Sequence, residues 1–190
     1  MKTIHLTLIF GLLLAHATLQ AGNFVVDKTK SELAADMHAS PSHDFTSVAQ
    51  KYSCDIDIDP QTLAIQKAVC RFQFDALDSG KTGRDKKMRK WLDSKTYPEA
   101  EYTMQSLRPG KTTGHYVASG SFKMVGIERP LEIDIQIERD GDTIILSGST
   151  EMDHRQWGLE KVRLLFFTVD PSLKPHFKLV GHLGSKNPDA

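Results

Sequence analysis

His43 and Asp44 stand side by side, and an imidazole next to a carboxylate is half of a proton-relay device. To act as a dyad the pair needs a nucleophile, and no Gly-x-Ser-x-Gly elbow or free-cysteine motif accompanies it. Its other reading is a turn closed by side-chain to backbone hydrogen bonds, which such residues make readily. His154 is a third group that a small-molecule enzyme or stress protein would draw on, and that function requires His43, Asp44 and His154 to meet in one cleft. The chain has eight histidines, none spaced like a zinc motif. His176 and His182 share a strand parity but lie about 20 Å apart in extended chain, too far to share an ion. No catalytic residue, metal or cofactor is expected, and the missing motifs favour a binding protein over an enzyme.

Cys54 and Cys70 are the two cysteines of the chain, too few for a disulfide scaffold. Asp59-Pro60-Gln61-Thr62 separates the runs that carry them. In a hairpin centred near Thr62, facing residues have numbers summing to 124, as 54 and 70 do. A cross-strand disulfide and two buried free thiols both fit this register.

The elements that position these groups are mostly strands. Apolar and polar residues alternate in Cys54-Asp55-Ile56-Asp57-Ile58-Asp59 and in Cys70-Arg71-Phe72-Gln73-Phe74-Asp75. The same period runs through Tyr116 to Met124 and through Leu131 to Glu138. Strict alternation marks antiparallel strands with one dry face and one wet face. Further strands are expected at 24–28, 32–39, 99–107, 143–152, 163–169 and 176–183. Turns are expected at Asp59-Pro60, Arg108-Pro109-Gly110, Asp140-Gly141-Asp142 and Asp170-Pro171. About nine or ten short strands at this spacing make a sandwich or a barrel. One segment, 84–93, breaks the period. Met88, Trp91 and Leu92 recur there at helical spacing among Arg84, Lys86, Lys87, Arg89 and Lys90, giving one short helix with a cationic outer face.

The whole chain of 190 residues carries 24 basic and 24 acidic side chains. With no net charge it exerts no global pull on polyanions, so nucleic acid is not an expected partner. An apolar fraction of 39% and a charged fraction of 25% are ordinary for a globular domain. Residues 1–21 differ in kind. Lys2 precedes an apolar run from Ile4 to Ala15, followed by Ala15-His16-Ala17 and Ala21. This reads as a secretory signal peptide cut after residue 17 or 21. No cysteine follows that run, which argues against a lipid-anchored product. The expected organisation is a leader at 1–21, one domain at 22–183 and a polar tail at 184–190.

Three stretches together resemble the YceI-like family. The first is Asp78-Ser79-Gly80 through Arg84-Asp85-Lys86-Lys87-Met88, with Lys95-Thr96-Tyr97-Pro98 and Tyr102 beyond it. The second is Val125-Gly126-Ile127-Glu128-Arg129-Pro130-Leu131, and the third is Arg155-Gln156-Trp157-Gly158-Leu159. The resemblance implies a mainly β fold, a single antiparallel eight-stranded lipocalin-like barrel that binds polyisoprenoid lipid, in a periplasmic or secreted protein. Membrane contact would be transient, and the oligomeric state stays open. Strand parity aims Ile56, Ile58, Phe72, Phe74, Tyr102, Met104, Tyr116, Ala118, Phe122, Met124, Ile133 and Ile135 inward. With Trp157 these are the expected cavity lining. The small Ala118 and Gly120 would leave room for a slender chain. Arg84, Lys86 and Arg129 are the candidates for meeting a headgroup at the mouth. The other reading of the same barrel is an interior filled by its own side chains, as in an interaction domain.

Overall fold

The computed structural model describes residues 22–41, 43–164 and 167–184. Its elements in chain order are β1 (Gly22–Val26), β2 (Glu32–Ser40), β3 (His43–Ala49), β4 (Tyr52–Ile58), β5 (Ile65–Gln73), β6 (Leu77–Asp78), α1 (Thr82–Trp91), β7 (Glu99–Pro109), β8 (His115–Met124), β9 (Ile127–Asp140), β10 (Thr143–Ser149), β11 (Met152–Asp153), β12 (Arg163–Leu164) and β13 (Phe167–Gly184). Short 3-10 turns follow β5 at Phe74–Ala76 and β11 at His154–Trp157.

The strands close into an eight-stranded antiparallel barrel. Three of its eight staves are broken in two. β1 and β2 both pair with β13, at 181–184 and at 168–178 respectively. β3 pairs with β2 while β4 pairs with β1, so these two also share a stave. β5 pairs with β4 and β6 with β3, completing the third. β7, β8, β9, β10 and β13 then follow in order, each antiparallel to the one before. A closed barrel leaves no sheet edge for another chain to extend. The break between β1 and β2 is plugged by Ser31, whose Oγ accepts from Val180 N at 2.9 Å.

The turns obey local chemistry. Val125 and Gly126 join β8 to β9 with φ of 44° and 77°, and positive φ at both central residues matches the twist of the flanking strands. Valine is strained in that region, and its side chain is packed against the core in return. Gly141, with φ of 59°, opens the two-residue turn between β9 and β10.

The structure departs from the periodicity reading in four places. The helix begins two residues earlier than 84 and ends at Trp91. Residues 43–49 form a strand that the blurred alternation of that stretch hid. Asp170-Pro171 is no turn: it lies at a register shift inside β13, which runs unbroken where two strands were expected. Phe74 stands in a 3-10 turn just past β5, and not in a strand. The leader assigned to 1–21 lies outside the described residues. So does the tail beyond Gly184, which is itself the last residue of β13.

The interior divides into two clusters. One end is packed solid by Phe24, Ile58, Ile137 and Ile144, with Leu107, Tyr116 and Leu183 against them. The other holds Phe74, Leu92, Phe122, Met124, Met152 and Trp157, with Met88 and Trp91 of α1 laid across it. Three aromatic rings pack against glycines of the wall. A Cβ on Gly120 would stand 2.8 Å from the Tyr102 ring, one on Gly148 2.7 Å from Phe177, and one on Gly181 2.8 Å from Phe24. A ring seated on glycine covers backbone that has no side chain of its own.

Candidate functional site

Between the packed end and α1 the barrel holds a partly open cavity of about 210 Å³. Its walls come from β2 to β11 and β13, Ser47 and Ala49 of β3 among them, with Met88, Trp91 and Leu92 of α1 as its cover. Inward parity puts apolar side chains there, and the depth of each residue along its strand decides whether it meets the cavity or the packed end. Of the expected lining, Ile56, Phe72, Phe74, Tyr102, Met104, Ala118, Phe122, Met124, Ile133 and Ile135 do line it. Ile58 and Tyr116 do not, because they point inward at the packed end. Trp157 does not either: it stands behind Phe122, ring centroids 5.7 Å apart, and donates its indole N–H to Phe122 O at 2.9 Å.

Parity reasoning left out Leu33, Ala35 and Met37 of β2, Leu173 and Phe177 of β13, and the helix cover. The signal was present. Leu33, Ala35 and Met37 alternate with Asp36 and His38, but Ala34, an apolar residue on the other parity that also borders the cavity, weakens the contrast. The room expected beside Gly120 is taken by the Tyr102 ring, whose hydroxyl donates to Ala118 O at 3.3 Å. Burial, with a smaller push from Glu132, raises the Tyr102 phenol to about 12, so it stays protonated.

Cys54 and Cys70 face each other directly, Cα atoms 4.2 Å apart, joined as a disulfide that lines the cavity. Among the described residues no Lys, Arg, Asp or Glu lines it. Arg84, Lys86 and Arg129 are therefore outside. Arg84 lies over the Phe45 ring at 4.1 Å and donates to Ser79 Oγ and Ser79 O. Arg129 donates to Gln156 O at 3.2 Å, and Lys86 is exposed on α1. Two of the three are thus held by backbone and aromatic partners.

The histidines and carboxylates of the enzyme reading do not converge. Asp44 pairs with His38, its cross-strand partner on the exposed β2–β3 hairpin, and that hydrogen bond raises the His38 pKa. His43, the neighbour of Asp44 in β3, points to the other side of the strand and is exposed. His154 is fully buried against Trp91, rings perpendicular at 4.9 Å, with Nδ1 3.2 Å from Leu159 O. Burial lowers the His154 pKa and keeps the ring neutral.

The three sequence stretches meet at the covered end. Asp85 is buried and accepts from Ser79 N at 3.0 Å and from Ser79 Oγ, which fixes the start of α1 to the strand before it. Tyr97 lies on Gly126, where any Cβ would stand 2.8 Å from its ring. Trp91 donates to Glu160 O at 2.9 Å, tying α1 to the segment after Trp157. The motif residues therefore build the lid end of the cavity.

The family model for the YceI-like domain matches residues 24–180. The structure of BcnA from Burkholderia cenocepacia superposes with a TM-score of 0.74 at 20% identity, over 83% of this chain and 99% of that one. A Campylobacter jejuni YCEI protein gives 0.65 at 14% identity, over 73% and 85% of the two chains. A Saccharophagus degradans domain described as polyisoprenoid binding gives 0.64 at 13% identity, over 87% and 100%. No curated protein matches the chain.

Proposed function

The chain belongs to the YceI-like family, and from that premise we propose that it is a carrier or sequestering protein holding the apolar chain of an isoprenoid or similar lipid inside its barrel. The observation that carries this reading is the cavity of about 210 Å³ with no charged side chain on its described lining. At about 24 cal/mol per Å³, a void of 210 Å³ forgoes roughly 5 kcal/mol of packing, as much as the net stability of many domains. A ligand restores that packing, and each methylene it buries contributes roughly 0.8 kcal/mol. An apolar void of roughly 150 Å³ already stays dry and admits a small aromatic molecule. The polyisoprenoid binding ascribed to the Saccharophagus degradans domain supports the same ligand class.

Binding without catalysis is the reading that fits side chains that do not converge. Export belongs to the proposal as well: the leader at 1–21 would deliver the protein to the periplasm or beyond, where lipid is exchanged in brief contacts with a membrane. The test is protein purified from its own host. Native mass spectrometry and lipid extraction should find a co-purifying isoprenoid, and N-terminal sequencing should begin at Thr18 or Gly22. Protein that carries no lipid, and whose Tm does not move when isoprenoid is added, would overturn the carrier reading. Retention of Met1 would overturn export.

A further inference from the structure

Among the described residues, one fully buried polar side-chain atom of the cavity wall lacks a hydrogen-bond partner. Ser47 of β3 lies opposite Ala35 of β2, is 4% exposed, and has no hydrogen-bond partner for its Oγ among the described residues. It lines the cavity. The other lining hydroxyls are spent on backbone: Tyr102 on Ala118 O, and Thr150 on Glu132 O at 2.7 Å. His176, half-buried where the lining nears the surface, stands 3.6 Å from the Asp36 carboxylate. An unpaired hydroxyl in an apolar wall costs stability, and alanine in its place would cost none. A ligand with one hydrogen-bonding group would satisfy it. That group is uncharged, because no Lys or Arg among the described residues lines the cavity to offset desolvation of an anion, and His176 at its margin already faces the Asp36 carboxylate.

We infer that Ser47 hydrogen-bonds a neutral oxygen of the ligand, so that the cavity selects isoprenoid chains bearing a hydroxyl or carbonyl over hydrocarbons and phosphate esters. This inference rests on the carrier reading above. It is a specificity-determining role, and the geometry gives it a test in which ligand solubility cancels.

The affinities of farnesol, farnesene and farnesyl diphosphate are measured for the native protein and for Ser47→Ala, following the fluorescence of Trp91 in the cavity cover. The ratio of alcohol to hydrocarbon affinity should fall about tenfold in Ser47→Ala, the worth of one hydrogen bond. Ser47→Thr, which keeps the hydroxyl, should retain the native ratio. Without ligand, the Tm of Ser47→Ala should equal or exceed that of the native protein, since the hydroxyl has no partner to lose. The diphosphate should bind more weakly than the alcohol. An unchanged ratio, a lower Tm, or diphosphate binding as tight as alcohol would overturn the inference while leaving the carrier reading in place. If none of the three ligands binds the native protein, both readings fall together.

Discussion

A single methyl group separates Gly120 from a residue the wall cannot hold. A Cβ there would stand 2.3 Å from Thr103 O and 2.8 Å from the Tyr102 ring. Gly120→Ala should therefore destabilise the protein by about 1–3 kcal/mol and drive the Tyr102 ring into the cavity. Urea unfolding and farnesol affinity should both show the loss, and an alanine variant with native affinity would mean that the ring has another resting place. Two histidines set opposite pH dependences. Burial lowers the His154 pKa, so its contribution is present above about 6.5 and is lost as pH falls through the lower folded value. The bond from Asp44 raises the His38 pKa, so its contribution is present below about 6.5 and fades as pH rises through the higher folded value. His38 is exposed, and salt should screen its share. A Tm profile across pH 5 to 8 should lose its acid slope in His154→Asn and keep that slope in His38→Gln.

At the scale of elements, α1 is held at its N-terminus by Asp85 and near its C-terminus by Trp91. Asp85→Ala leaves two Ser79 donors unpaired, at about 1–3 kcal/mol. The loss should be local: hydrogen exchange of the α1 amides should speed up while that of the β8 and β9 amides stays native. The hairpin of β4 and β5 is tied by Cys54 and Cys70, separated by 16 residues in sequence. A loop of this size contributes about 3 kcal/mol when closed. The Cys54→Ala, Cys70→Ala double variant should lose about that much in urea unfolding, and a native midpoint would show that the bridge is idle. The register of this hairpin was legible in the sequence, because alternation on both arms sets which faces meet and the turn after Asp59-Pro60 sets where the arms fold back. Strand β3 was not, since His43 to Ala49 mixes apolar and polar residues without a clean period. Arg84 also misled: a cation on a short helix looks free until the Phe45 ring and the Ser79 backbone are folded beneath it.

For the whole molecule, alternation told which side chains point inward and was silent on depth. Ile56 and Ile58 sit on one parity of one strand, yet one lines the cavity and the other fills the packed end. Depth depends on where each strand crosses the barrel axis, which only the closed register fixes. The motif stretches were legible as a family resemblance, and their physical role in building the covered end emerged only when three distant segments met there. That closed register rests on β13, which takes up β1 and β2 along one side and β10 along the other. The earliest described strand therefore waits for the latest one before the barrel can shut. Contacts this far apart in sequence form slowly. A ribosome would have made almost the whole described barrel before its first stave found a partner on β13. Until then the staves on either side of that seam stay open to solvent, and the interior cannot hold a ligand.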